Sequence, residues 1–238
     1  MTKMSAGLDF SQVTALLQLA SPALPIGAFS YSQGLEAAID HEAIRDAASV
    51  ERWIGESMCT TLAACELPIW AMQYRNWQAR DWNALRTWND WFLSSRETRE
   101  LRLETEQMGW SLAQLMQKLE WGDPDSRQML AAIAPVSLPT AYSWAAVARA
   151  IPIEAGLAAY CFGWAENQVS AAVKALPLGQ VAGQRILDVL RGCVAVAVAE
   201  ALERAGGDES GPRLSTLTPV LAILSSRHET QYSRLFRS

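Results

Sequence analysis

The two histidines, His41 and His228, are the side chains in this sequence best suited to metal or proton chemistry near neutral pH. His228-Glu229 begins like the HExxH motif of zinc proteases, but Tyr232 occupies the fifth position, so the second metal ligand is missing. A lone imidazole near a helix end usually caps the helix or hydrogen-bonds. We therefore expect His41 to be structural, and His228 to bind a metal only with ligands from another chain.

Acid–base and nucleophilic chemistry also lack a complete set of residues. Glu100 and Glu104 are paired carboxylates, but flanking arginines are expected to keep both ionised, which predicts a solvated helix face. Ser170 and Lys174 are four positions apart, whereas the Ser-x-x-Lys acylation motif needs three. The glycine-rich phosphate loops GxxxxGK[ST] and GxGxxG are absent. The sequence thus predicts no enzyme, and no catalytic, cofactor-binding or metal-binding residue.

Composition excludes further classes of protein. Half of the 238 residues are hydrophobic, which is enough for a substantial core, and the net charge of -5 argues against a nucleic-acid binder. The four cysteines have no CxxC spacing, so neither a disulfide scaffold nor a zinc knuckle is expected. Residues 1–10 lack the apolar stretch of a signal peptide, and no uninterrupted apolar run reaches about 20 residues. These features predict a cytoplasmic protein without a membrane span.

Helical spacing runs along most of the chain. In residues 97–120, leucine and methionine recur at steps of seven, four, three and four, which places them on one face of a helix. Helices are also expected over residues 11–20 and 179–204, with Ser49 as the cap of another and prolines in several first turns. The prediction is an all-α, single-domain bundle of about eight to ten helices over residues 1–238.

Ten tryptophans are the most unusual compositional feature, and five lie on two consecutive predicted helices. A docking stripe on the surface is one interpretation. Core packing is favoured, because aromatic side chains mostly serve burial. The five are Trp70, Trp77, Trp82, Trp88 and Trp91.

A proline-glycine corner, LASPALPIGAFSYSQGLE at residues 19–36, joins the first two predicted helices. Ser30 is the expected cap of the helix that carries Gln33 and Glu36. An apolar loop of this kind is unusual on a simple surface. The residues leave two interpretations open, a rigid buried corner and a binding surface.

Two later segments carry features typical of interfaces. In residues 170–184, Lys174 lies at a predicted helix end, and Gln180 and Gln184 stand four apart among apolar residues, serving either the core or a facing subunit. Residues 225–238, SSRHETQYSRLFRS, interleave arginines with Tyr232, Leu235 and Phe236. An exposed Leu-Phe pair usually docks, here on the chain's own core or on a partner.

Together these segments resemble the UreF family of urease accessory proteins. The resemblance is carried by the SQGLE helix start, the ETRELRLE stretch from Glu97, VKALPLGQ, and the ending HETQYSRLFRS, which occur in the order that the family shows. It covers residues 16–238, although residues 70–90 and 121–140 match only in helical character.

The resemblance implies a dimeric assembly factor that binds UreD (also called UreH) and recruits the GTPase UreG and nickel to apo-urease. It assigns the C-terminal tail, residues 226–238, to UreD, and the positions of Glu36 and Lys174, with Gln33 and Gln180 beside them, to UreG. The tail residues implied are Tyr232, Arg234, Leu235, Phe236 and Arg237. A general helical adaptor unrelated to urease is the alternative. A helical synthase is disfavoured because the sequence has no DDxxD motif.

Overall fold

The computed structural model describes residues 7–208 and 211–238, and the regular secondary structure of these residues consists of helices. Apart from one isolated bridge between Asp208 and Gly211, those residues contain no β-pairing. The helices are α1 (Phe10–Ala20), α2 (Leu35–Asp40), α3 (Ala47–Ser57), α4 (Leu67–Ala79), α5 (Trp82–Ser94), α6 (Arg99–Lys118), α7 (Pro124–Ala132), α8 (Leu138–Ala148), α9 (Ile153–Ala175), α10 (Gln180–Gly206) and α11 (Pro219–His228).

Helices α3 and α4 are joined without a break by a π-helical segment, Met58–Glu66. Counted as one with that segment, they bring the described part of the chain to ten helices, so the all-α prediction is confirmed. Residues 1–6, used above for the signal-peptide expectation, lie outside the described ranges. Across these ranges, no helix combines the length and the apolar character that a bilayer crossing requires.

Side-chain caps start five of these helices, α1, α3, α5, α6 and α7, and two sequence-based expectations about caps are corrected. Asp46, and not Ser49, is the N-cap of α3, because its carboxylate accepts the Ser49 backbone N–H at 2.8 Å. Ser30 does not cap α2, which begins after Gly34 with φ +79, a conformation that favours glycine. Ser32 supports this start instead, since its hydroxyl accepts the Glu36 N–H at 3.3 Å.

The core lies where α4 packs on α8 and α10, and α9 packs on α10. Trp70 and Trp77 are buried in it, as the sequence predicts, whereas Trp91 is 37% exposed and departs from that prediction. Helices α6 and α8 approach closely at Gly109, where an added Cβ would lie 2.3 Å from the carbonyl oxygen of Val136. This crossing fixes α6, whose other face carries Glu100 and Glu104.

Candidate partner-binding site

The C-terminal tail folds back over the chain's own helices. After α11 ends at His228, the tail pairs by backbone hydrogen bonds with the corner before α2. Arg237 N–H donates to the Ser30 carbonyl at 2.7 Å, and Ser32 N–H donates to the Ser238 carbonyl at 2.7 Å. Of the two docking modes expected for this segment, the structure shows docking on its own core.

Glu36, on α2, is the main anchor of the tail. Its buried carboxylate accepts the backbone N–H groups of Leu235 at 2.7 Å and Phe236 at 3.0 Å. His228 Nε2 lies 3.1 Å from the same carboxylate. Hydrogen bonds to an ionised acceptor are stronger than neutral ones, so a single side chain fixes both the path of the tail and the end of α11.

His228 lies fully buried between two acidic side chains. Its Nδ1 is 2.7 Å from Glu100 Oε2, while its Nε2 faces Glu36. Both ring nitrogens of His228 therefore have a carboxyl partner, and Arg234 Nη1 lies 2.7 Å from Glu100 Oε1. Both ring nitrogens are engaged within the chain, so neither is free for a metal, which the sequence allowed for His228 only with ligands from another chain.

Glu104 corrects the prediction of a solvated helix face. It is buried beneath the tail, where it accepts the Ser238 hydroxyl at 2.7 Å and the Gln33 amide N–H at 2.6 Å. Gln33 in turn accepts the Trp164 indole N–H at 2.6 Å. Burial raises the pKa of Glu104 to about 7, because the charged form loses its hydration.

Lys174 lies between two aromatic rings, one from the corner and one from the tail. Its ammonium nitrogen is 5.7 Å from the ring centre of Phe29 and 5.7 Å from that of Phe236. Phe236 is buried, while Phe29 is 64% exposed. The corner is therefore partly buried and partly exposed to solvent. Lys174, in the last turn of α9, contacts both the corner and the tail.

Two tail residues, Tyr232 and Leu235, have side chains outside this cluster, since Tyr232 is fully exposed and Leu235 is 69% exposed. Arg237 is an exposed residue, but its side chain hydrogen-bonds Tyr31 of the corner and its backbone pairs with the corner as well. Gln180 is exposed at the start of α10, and Gln184 is exposed one turn later, so neither serves the core. The structure thus brings together Gln33, Glu36, Lys174, Arg234 and Phe236, and leaves Gln180 outside the cluster.

Sequence reasoning did not single out Trp164, and it included His228 and Ser238 in the tail segment without predicting their contacts with Glu36, Glu100 and Glu104. The only sequence signal for the cluster was a possible pairing of polar groups, since two glutamates at helical spacing and a lone histidine can hydrogen-bond to each other if the fold brings them together. Among residues 7–208 and 211–238, no group of three histidine, cysteine or acidic side chains is arranged to hold a metal ion. The cluster is instead built to hold a polypeptide segment.

Comparison with known proteins identifies the family of this fold. The family model UreF matches residues 44–191. A curated relative from Cupriavidus taiwanensis, named urease accessory protein UreF, is 60% identical over 227 residues, covering 95% of this chain and 98% of the relative. A relative of the same name from Ralstonia pickettii is 58% identical over 228 residues, covering 96% and 98%.

A third relative is a longer protein. The bifunctional urease accessory protein UreEF of Bordetella bronchiseptica is 53% identical over 235 residues, which cover 99% of this chain and 54% of that protein. The match to the family model and the near-complete coverage of close relatives agree with the residues that first suggested the resemblance. This chain belongs to the UreF family of urease accessory proteins.

Proposed function

We propose that this chain is a urease maturation factor that holds its partners in position and makes or breaks no bond itself. It binds UreD (UreH), recruits the GTPase UreG, and so supports nickel insertion into apo-urease in the cytoplasm. The names of the close relatives support the urease role. The fused UreEF relative supports association with other accessory proteins, because one chain there joins a UreF region to a further region.

The observation that carries the proposal is the two-sided tail. Its inward groups, the Phe236 ring and the backbone N–H groups of residues 235 and 236, are fixed by the core. Its outward side chains, Tyr232 and Leu235, are exposed to solvent, so their apolar surface contributes little to the stability of the fold. Since interfaces favour aromatic and apolar anchors beside arginine, this outward face, with Arg237, is the proposed UreD-binding surface.

The proposed UreG-binding surface lies beside it. Lys174 and Phe29 form its exposed part, with Gln180 further along at the start of α10. Gln33 and Glu36 lie beneath the tail and make their hydrogen bonds inward. In this proposal they act by setting the position of the tail and of the corner.

The proposed homodimer has a candidate face on α10. Val181, Val189 and Val196 are exposed there, with Gly192 among them. Small and β-branched residues on an exposed helix face allow a second helix to approach closely. The dimer is tested by sedimentation of the wild type against Val189→Glu/Val196→Glu, which we expect to be monomeric and folded.

A general helical adaptor unrelated to urease remains the alternative. It predicts no dependence on nickel or on urease subunits, and membership of the UreF family disfavours it. Genes for urease subunits beside the gene for this chain would support the urease role.

A pull-down with UreD and UreG from the same source tests the proposal. We expect Tyr232→Ser/Leu235→Ser to lose UreD capture while the fold and the docked tail persist. The matched control is Phe10→Ser/Leu17→Ser, which removes an equally exposed aromatic and leucine from α1. Undiminished capture by the tail variant, or unaided hydrolysis of GTP or urea by the purified chain, would contradict the proposal.

A further inference from the structure

Charged side chains flank the exposed valines of α10, the face proposed above for the homodimer. Arg185 lies on the N-terminal side of Val189 and Val196, and Glu200 and Glu203 lie on the C-terminal side. At about 3.6 residues per turn, these five side chains fall within roughly 60° of one another around the helix. They therefore form one face, which is cationic at one end, apolar in the middle and acidic at the other end.

Arg185 is an exposed cation without a counter-charge in its own chain. Among the residues that the structure describes, its guanidinium takes part in no hydrogen bond and no ion pair. The nearby Asp188 is already paired with Arg191 at 3.0 Å. Glu200 lies about four turns further along α10, or roughly 22 Å, which is beyond the reach of an arginine side chain. The acidic end of the face is therefore inaccessible to Arg185 within one chain.

A surface groove of about 700 Å³ opens at the acidic end of the face. Ala195, Val196 and Ala199 line part of it with apolar groups, and two acid–arginine pairs line the rest. A long side chain with an apolar stem and a cationic head could cover the apolar part while its head reaches the acids. Arginine has this form.

The two acids of the groove keep the capacity to accept a further hydrogen bond. Glu200 is paired with Arg204 at 2.8 Å and Glu203 with Arg213 at 2.5 Å, in both cases through Oε1. Oε2 of each glutamate has no hydrogen-bond partner among the described residues. Exposed ion pairs of this kind are weak, so a further guanidinium can join either acid.

Twofold symmetry would bring Arg185 to this groove. If α10 pairs with its copy in antiparallel orientation and Arg185 lies beside Glu200 of the partner subunit, the symmetry axis passes between residues 192 and 193, the midpoint of the two positions. Val189 and Val196 have the same midpoint, so this axis also packs one exposed valine against the other. Gly192, beside the axis, is exposed, and an added Cβ there would meet no atom within 4 Å. The ion pair, the valines and the open glycine thus agree on one arrangement.

A parallel pair is disfavoured by the same charges. It would place Arg185 against its own copy and the two acidic ends against each other, and like charges in contact repel. We infer that the two copies pair through antiparallel α10 helices, with Arg185 of each protomer in the acidic groove of its partner; this rests on the homodimer proposed above.

Charge exchange, followed by sedimentation equilibrium of the full chain, tests the ion pair. We expect Arg185→Glu and Glu200→Arg each to raise the dimer dissociation constant about ten-fold or more, because each brings like charges together. The double variant Arg185→Glu/Glu200→Arg restores the attraction and should recover most of the affinity, which also shows that the altered chains fold. Arg86→Glu, at an exposed arginine of α5, is the control and should leave the constant unchanged.

The outcomes separate the pairing from the homodimer itself. A dimer that tolerates both single variants, or a double variant no tighter than the single ones, would overturn the pairing and leave the homodimer standing. A monomeric wild-type chain would overturn both.

Cysteine cross-linking tests the orientation of the helices. In a Cys59→Ser/Cys193→Ser background, Gly192→Cys places a thiol beside the axis, so treatment with diamide should join two copies by a disulfide. Val181→Cys places its thiols roughly 35 Å apart in the antiparallel pair and should not cross-link. A parallel pair would cross-link at both positions, and a disulfide-linked dimer of Val181→Cys would therefore overturn the proposal.

Discussion

The carboxylate of Glu36 accepts the backbone N–H of Phe236 at 3.0 Å, although the two residues are separated by 200 positions in sequence. The contact joins the first third of the chain to its C-terminal tail. Because the acceptor is a buried carboxylate and the donor is backbone, no substitution in the tail removes the donor except proline.

His228 is expected to be essential for the docked tail. In His228→Ala, Glu36 and Glu100 lose their shared hydrogen-bond partner, and leaving a buried polar group unsatisfied costs about 1 to 3 kcal/mol. Hydrogen exchange of the Leu235 and Phe236 amides measures this locally, and we expect strongly reduced protection. His41→Ala is the control, since His41 is largely exposed and should change stability by less than about 0.5 kcal/mol. Unchanged protection in His228→Ala would contradict the role assigned to this side chain.

Phe236 and Leu235 are neighbours with opposite roles. Phe236 is 6% exposed, so Phe236→Ala should lower the free energy of tail docking by about 3 kcal/mol and make the tail accessible to protease. Leu235→Ala removes an exposed side chain and should leave proteolysis unchanged while weakening partner capture. Equal protease sensitivity of the two variants would be inconsistent with the docked tail described here.

Glu104 predicts a pH dependence of stability. Its pKa is about 7 in the folded chain and near 4.5 when unfolded, so the folded state retains the proton up to a higher pH. The stability that this group contributes is fully present below pH 4.5 and is lost as the pH rises through 7, by about 3 kcal/mol in total. Urea unfolding at pH 5 and pH 8 measures the loss.

Glu104→Gln provides the control for this pH dependence. An amide does not ionise, so the difference in unfolding free energy between pH 5 and pH 8 should shrink in the variant. The buried Glu66 also has a raised pKa and sets the dependence that remains. An unchanged pH profile in Glu104→Gln would show that Glu104 is not the titrating group.

The crossing of α6 and α8 depends on the absence of a side chain at Gly109. In Gly109→Ala the new Cβ would meet backbone atoms of residues 136–138 at 2.3 to 2.8 Å, so the helices must separate. We expect a loss of about 3 kcal/mol or more in unfolding free energy. Gly163→Ala, in the middle of α9, is the control, because an added Cβ there meets no atom within 4 Å, and it should gain up to about 1 kcal/mol. A tolerated Gly109→Ala would contradict the close approach.

The helices were predictable from sequence because their signals are local. Apolar spacing located α6, and the helices expected over residues 11–20 and 179–204 correspond to α1 and α10. The cluster was not predictable in the same way, since the arginines that flank Glu100 and Glu104 in sequence are typical of a solvated helix face. Their burial comes from the tail, more than 120 positions later, and single-helix spacing does not report such a contact.

Local sequence signals also failed to locate the start of α2, in the corner. Serine is a good N-cap, so Ser30 was a reasonable expectation. The chain instead forms a short 3₁₀ turn, Ala28–Ser30, and starts α2 after Gly34. Gly34 leaves room for Leu221 of α11, which lies 3.1 Å from the position of an added Cβ. Packing against a distant helix, and not capping, decided where α2 begins.

Reconstituted urease activation tests the central claim most directly. Apo-urease, UreD, UreG, GTP and nickel are combined with the full chain, with a chain truncated before Tyr232, or with Tyr232→Ser/Leu235→Ser. We predict activation by the full chain alone, with both altered chains remaining folded but failing to retain UreD. Full activation by the truncated chain would show that the tail does not connect this protein to its partners.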